Sequence, residues 1–515
     1  MTDLSPVPAF VAPDVIRSRF AAAMSRLYRA EVPLYGRLVD VVAEVNAATL
    51  RADAQALDGV PLAQAQLDVE RHGAIRVGTA QELATLRRIF AVMGLQPVGY
   101  YDLSVAGVPV HSTAFRPVGA AALAASPLRL FTSLLRLELI DDAETRALAE
   151  RALARRRIFT PEALALTARC EQAGGLSESD AEAFVQAVLP TFAWQRQAPV
   201  TQDDYRRLAA THRLVADVVC FAGPHINHLT PRTLDIDAAQ SAMQAAGLPA
   251  KAEIEGPPRR RVPILLRQTS FAAVSEPVSF AAGSGEGTHT ARFGEIEQRG
   301  LALTPAGRAL YDRLLDEARA RNAAAPGATA EARAATLAAV FADFPDDLET
   351  LRRTGLGWFR YGLRPGVTAQ AAAAVAATVT TAEAAAAGCR DREDAGTAGT
   401  AATPVDGGAQ AGSEPAWLQA LLAAGLAEAR PIVYEDFLPV SAAGIFRSNL
   451  AGEAVLQYDV QAAQAAFEQA LGAPVGDPFA LYAAEQQDSL ARLHAALQAV
   501  MPDALRVAPR GTHAG

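Results

Sequence analysis

One succession of short elements occurs twice along this 515-residue chain, and that repetition limits the architectures open to it. In the first copy, Ala74-Ile75-Arg76-Val77 has the composition of a short strand. Thr79-Ala80-Gln81-Glu82 is a capping box, and the helix it opens runs through Leu86, Ile89 and Met93 to a stop at Gly94. Strand candidates Val98–Leu103 and Val108–Phe115 follow, joined at Ala106-Gly107. In the second copy, Val215–Phe221 and Ile226–Leu229 are expected strands, and Asp235–Ala246 is an expected helix ended by Gly247. Val262–Gln268, Phe271–Phe280 and Thr288–Gln298 then return to strand. Both copies read roughly β, α, β, β. Two such modules predict an α+β fold, a half-open β-barrel with large helical insertions, whose concave faces hold the site.

The rest of the chain is organised around these modules. Phe20, Met24 and Leu27, then Leu38, Val41, Val42 and Val45, mark two amphipathic helices divided at Pro33, so residues 13–120 hold these helices and the first module. Residues 121–211 are expected to be a helical insertion, with Leu128, Leu130, Leu134, Leu135 and Leu137 apolar. The second module spans 212–300, and 301–366 is helical. Residues 367–413 are dominated by Ala, Gly and Thr, side chains too small to build a core, and form a solvated or flexible insertion. A last unit, 414–505, completes the pocket.

A net charge of −9 with no basic stripe argues against nucleic acid and anionic membrane as partners. A chain of this sign that takes a dianionic substrate must do so with a few placed arginines. No run of about 18 apolar residues is free of charge, so no membrane-spanning helix is expected. Met1 to Phe20 lacks the basic and apolar blocks of a signal peptide. Cys170, Cys220 and Cys389 are odd in number and far apart, which points to a reducing cytoplasm without disulfides. No oligomeric state is read from the sequence.

With only eight histidines, each is weighed in turn. His494 and His513 have no nearby companions, His212 precedes an expected strand, and His111 reads as a packed, satisfied histidine. In Arg71-His72-Gly73-Ala74-Ile75-Arg76, positions 72, 74 and 76 share one strand face, and Gly73 and Ala74 leave room beside them. In Gly223-Pro224-His225-Ile226-Asn227-His228-Leu229-Thr230, His228 lies inside the expected strand and His225, beside Pro224, in a loop. On the last strand His289, Phe293, Glu295 and Glu297 share a face, and an acid there is costly to bury unless paired or metal-bound. Two histidines and one glutamate on strands form the set that leaves open positions on a non-haem Fe(II). Spacing alone leaves Glu295 and Glu297 both open. Gly283-Ser284-Gly285-Glu286-Gly287 has no helix after it and reads as a hairpin loop, and Trp194, Trp358 and Trp417 read as packing residues.

Four segments carry a resemblance. Val69–Arg76, His225–Arg232, Arg292–Arg299 and Glu435-Asp436-Phe437-Leu438-Pro439-Val440-Ser441 closely resemble the 2-oxoadipate dioxygenase/decarboxylase (hydroxyglutarate synthase) family. The resemblance runs from about residue 13 to 485, with 367–413 departing from it. It implies a fold related to the vicinal-oxygen-chelate class, an Fe(II) cofactor, and metal ligands at His72, His228 and Glu295. It also implies a substrate-binding arginine at Arg76 and pocket residues at Val440 and Ser441. Phe293-Gly294-Glu295 is similar to the metal-binding strand of 4-hydroxyphenylpyruvate dioxygenases, which favours Glu295 over Glu297.

The implied reaction takes a small 2-oxo diacid and O₂, with 2-oxoadipate giving 2-hydroxyglutarate and CO₂ in lysine or 2-aminoadipate catabolism. Arg76 would hold the distal carboxylate through a charge-assisted fork. The competing readings are a non-redox metal-dependent lyase or isomerase on the same scaffold, and a binding protein without turnover. Oxygen uptake on adding substrate separates them.

Overall fold

The computed structural model describes residues 10–52, 67, 69–377, 414–438 and 460–500. Its centre is a nine-stranded mixed sheet built from β1 (Glu70–Val77), β2 (Gln96–Asp102), β3 (Val110–Arg116), β4 (Arg129–Leu135), β5 (Gln197–Ala198), β6 (His228–Pro231), β7 (Leu266–Ser270), β8 (Val274–Phe280) and β9 (Glu286–Arg299). The strand order is β2-β3-β4-β1-β6-β9-β8-β5, and β7 adds to β9. Each module is therefore β-α-β-β-β. The first is β1, helix Ala80–Val92, then β2, β3 and β4; the second is β6, helix Ile236–Ala245, then β7, β8 and β9. They join where β1 pairs antiparallel with β6, and β6 runs parallel to β9.

Local chemistry explains why these elements form. Thr79 accepts from the Glu82 backbone N–H while the Glu82 carboxylate reaches back to the cap, as the sequence predicts. Pro33 opens the second N-terminal helix, with Val32 alone separating it from the end of the first at Glu31. Asp235 caps helix Ile236–Ala245, and Gly247 follows it at φ 71°.

Several expectations fail, among them an all-helical 301–366, since Phe359–Leu363 is a strand. Residues 121–211 are not all helical, because Arg129–Leu135 is a central strand, β4, paired with both β1 and β3. All seven of its residues are buried, so the run lacks the alternation that marks a half-exposed strand. Val215–Phe221 is not a strand either; Arg213–Val219 is a helix, with the His212 ring accepting from the Leu214 backbone N–H at its start. The strand expected at Ile226–Leu229 lies two residues later, which leaves His225 outside it.

The β1–β6–β9 strip buries apolar side chains on one face and chemistry on the other. Ile75, Val77, Leu229 and Ile296 pack into a core with Phe20, Met24 and Tyr28 of the first helix and Leu38 of the second. The opposite face carries His72, Arg76, His228, Thr230, Glu295 and Glu297, all buried. Gly73 was expected to leave room around His72, but it lies on the core side. A Cβ there would stand 2.8 Å from Ile226, 2.9 Å from Leu229 and 3.0 Å from the His228 carbonyl oxygen. Gly73 thus lets β6 approach β1 closely enough to present His228. Gly73→Ala is expected to lower stability by about 1–3 kcal/mol, the usual overpacking range. An unchanged Tm by calorimetry would show that β6 shifts freely instead.

The C-terminal unit reaches this charged face. Strands β10 (Phe359–Leu363) and β11 (Ala427–Pro431) form a small sheet. The chain then leaves β11 and docks on the end of β9, Tyr434 N–H donating to the Gly300 carbonyl at 2.8 Å. Among the described residues, no helix is long and apolar enough to cross a membrane.

Candidate active site

Three neighbouring strands bring the expected ligands together. In register, His72 of β1 lies opposite Thr230 of β6, Ala74 opposite His228, and His228 beside Phe293 of β9. Because side chains alternate, His72, His228 and Glu295 fall on one face around Thr230. Their candidate ligand atoms all lie within 4.8 Å of one another, and all three residues are buried. His72 Nε2 is 2.9 Å from Glu295 Oε1. The Thr230 hydroxyl donates to the same carboxylate oxygen at 3.3 Å and the Gln268 amide at 2.7 Å.

Glu297 has a different setting. Its Oε2 is 2.8 Å from His72 Nδ1, and Arg299 grips both of its oxygens at 2.7 and 2.9 Å. Arg71 adds a contact at 3.6 Å. Burial works against its charge, but Arg299 and His72 outweigh this and hold its carboxyl well below the usual range. Glu297 is spent on orienting His72, while Glu295 Oε2 has no hydrogen-bond partner.

The donor set fits a divalent cation. Burial lowers the His228 pKa to about 3, so the ring is neutral and one of its nitrogens keeps a lone pair, while its buried Nδ1 has no hydrogen-bond partner. Burial also works against a charge on His72, yet Glu297 and Glu295 raise its pKa above the ordinary value. Two buried carboxylates around one imidazole call for a cation between them, and a metal ion can replace the proton. Hydrogen bonding of the far imidazole nitrogen to a carboxylate is the usual support of a metal-bound histidine. The Phe437 ring packs edge-on to His72 with centroids 4.9 Å apart, and Phe293 stacks on His228 at 4.7 Å.

Arg76 lies on the same face as His72, four residues along β1. Its guanidinium meets Asp217 Oδ2 at 2.5 Å. Asp217 Oδ1 in turn lies 2.8 Å from His289 Nε2 and 3.3 Å from His225 Nε2. The Tyr205 hydroxyl lies 2.9 Å from His289 Nδ1, and Trp194 stacks over the His289 ring. Asp217, His225 and His289 also converge tightly enough to hold a cation, but Arg76 already supplies the positive charge there. So His289 and His225 serve the Arg76 end of the face rather than the His72 cluster.

Residues 20–449 match the profile of the 2-oxoadipate dioxygenase/decarboxylase family. The chain belongs to that family. A curated 2-oxoadipate dioxygenase/decarboxylase of Pseudomonas putida is 53% identical over 490 residues, 94% of this chain and 97% of that protein. The Escherichia coli 2-oxoadipate dioxygenase/decarboxylase is 51% identical over 481 residues, 93% of this chain and 98% of that protein. The crystal structure of Pseudomonas putida hydroxyglutarate synthase in complex with 2-oxoadipate is similar at a TM-score of 0.77 and 51% identity, covering 95% of this chain and 99% of that one. The sheet of two β-α-β-β-β modules agrees with the vicinal-oxygen-chelate kinship expected of the family.

Of the six site residues expected from sequence, four converge on one buried face: His72, Arg76, His228 and Glu295. Val440 and Ser441 lie outside the described residues. Sequence reasoning missed Asp217, whose acid sits in an apolar run misread as a strand, and the orienting role of Glu297. His111 is packed as expected, against Phe467, with burial lowering its pKa to about 4.

Proposed function

We propose that this protein catalyses the Fe(II)-dependent oxidative decarboxylation and hydroxylation of 2-oxoadipate with O₂, giving 2-hydroxyglutarate and CO₂, in lysine or 2-aminoadipate catabolism. The observation that carries the reading is the buried His72–His228–Glu295 triangle, in which Glu295 Oε2 and His228 Nδ1 have no hydrogen-bond partner. The bound 2-oxoadipate of the Pseudomonas putida hydroxyglutarate synthase structure supports the substrate. His72, His228 and Glu295 would hold the iron, and Fe(II) in such a set supplies a docking point for a 2-oxo acid and activation of O₂.

The chain's own residues then do four things. Glu297 accepts the Nδ1 proton of His72 and so directs its Nε2 toward Glu295. Arg76 holds the distal carboxylate, its Cα about 13 Å along the strand from that of His72. Asp217 fixes the Arg76 guanidinium. Phe437 and Phe293 cover the histidine rings and restrict water at the reacting carbons.

The test is oxygen consumption by anaerobically purified, Fe(II)-loaded protein on adding 2-oxoadipate, with the product identified by mass spectrometry. Uptake matched one-to-one by 2-hydroxyglutarate is expected; no uptake would overturn the dioxygenase reading. Glu297→Gln is expected to weaken metal affinity ~10–100-fold, the range for a supporting carboxylate behind a ligand histidine. A metal titration with an unchanged Kd would remove Glu297 from that role.

A further inference from the structure

Behind Glu297, on the side away from His228, lies a concentration of positive charge that the proposed reaction does not use. Among the described residues, Arg71, Arg129, Arg232 and Arg299 gather around two carboxylates, Glu297 and Glu435. Arg299 is taken by Glu297, and Arg129 and Arg71 share Glu435, Arg71 at 3.1 Å. Nearby, Arg116 is taken by Asp436 at 2.7 Å.

Arg232 is left over. It follows β6 on the face that carries His228 and Thr230, and it is 4% exposed. Its Nε has no hydrogen-bond partner, and among the described residues no carboxylate lies within 4.0 Å of its guanidinium. A guanidinium cannot shed its proton at neutral pH, and a buried charge without a partner is heavily penalised. Burial and then Arg71 lower its pKa only to about 9, so it stays charged. Arg232 also lines a cavity of about 410 Å³, together with Arg71, Arg116, Glu435, Arg360 and Arg492. On the outer wall, Glu485 pairs with Arg360 at 3.2 Å, so it does not compensate Arg232.

We infer that this cavity is a second anion site, in which Arg232, with Arg71 beside it, binds a small oxyanion of the carboxylate or tetrahedral phosphate class. A guanidinium fork matches either anion through two parallel N–H···O bonds. Glu297 bridges Arg71 and His72, so an anion here presses on the charge that orients His72. The site does not depend on which reaction the His72 cluster performs.

The experiment uses metal-loaded full-length protein and follows thermal unfolding in glutarate, sulfate or chloride at matched ionic strength. Glutarate or sulfate is expected to raise the Tm by about 2–4 °C relative to chloride. A stronger response to glutarate assigns a dicarboxylate, a stronger response to sulfate a tetrahedral anion, and both support the site. No response in the parent protein overturns it. Arg232→Met separates this site from any binding at Arg76. Without the anion it removes an unpaired buried charge, so the variant is expected to be at least as stable as the parent in chloride and to lose the anion response. A variant that keeps the full response, or that unfolds at lower temperature than the parent in chloride, overturns the proposal, because the charge is then compensated by the chain itself.

Discussion

His228→Ala is expected to strip the metal and reduce turnover of 2-oxoadipate by about 10³-fold or more, since a bound ion stabilises the transition state by several kcal/mol and each 1.36 kcal/mol is tenfold. The size of the effect follows from the strand geometry. His72, His228 and Glu295 come from three adjacent strands, and among the described residues no fourth His, Cys, Asp or Glu joins their group. Glu297 cannot move in, because Arg299 holds both of its oxygens and His72 occupies one. The variant should fold, because it removes a neutral ring packed on Phe293 and leaves no new unpaired charge. Metal content after dialysis and oxygen uptake with 2-oxoadipate are the two readouts. A folded His228→Ala protein that retained full iron and full turnover would refute the ligand assignment.

The second large effect concerns chain selection. Arg76→Met is expected to raise the KM for 2-oxoadipate ~100-fold, as a charge-assisted hydrogen bond contributes about 1.5–3 kcal/mol. It should leave kcat/KM unchanged for 2-oxohexanoate, which has the same chain length without the distal carboxylate. Asp217→Asn acts through Arg76, so it should raise the diacid KM in the same direction but less, and spare kcat. Each single change leaves a charge behind in a buried site: Asp217 is 4% exposed and Arg76 3%. Each is therefore expected to lower the Tm, and the double variant Arg76→Met/Asp217→Asn to recover part of the loss. Equal loss of activity toward the diacid and the monoacid would sink this role for Arg76. Loss of diacid preference in Arg76→Met but not in Asp217→Asn would leave Arg76 in place and remove Asp217.

These expectations rest on charges that balance only in three dimensions. Asp217 is 141 residues from Arg76, and Glu435 is 306 from Arg129. The same long separations explain which readings succeeded. The period of two along a strand placed His72 with Arg76, and Glu295 with Glu297, without any knowledge of their partners. The motif around each residue then carried the family resemblance. Neither source could rank the two glutamates physically, because both lie on one face of one strand. Arg299 and His72 distinguish them, by occupying Glu297 and leaving Glu295 Oε2 unpaired.

By itself, the sequence determined the local elements whose signals are local. These are the capping box at Thr79, the break at Pro33, the stop at Gly247, and the repeated succession of strands around one helix in each module. It also determined the face on which each candidate ligand lies, since alternation is a property of the extended backbone. Only the tertiary structure decided the rest. Arg129–Leu135 is a strand because β1 and β3 pair with it on both sides, and a run buried on both faces carries no periodic signal of its own. Arg213–Val219 is a helix despite its valines because packing overrides a weak intrinsic preference. The site's electrostatics were settled the same way: a buried charge takes its meaning from the partners the fold brings within reach, and deciding partners such as Asp217 for Arg76 and His72 for Glu297 lie more than a hundred residues away in the chain.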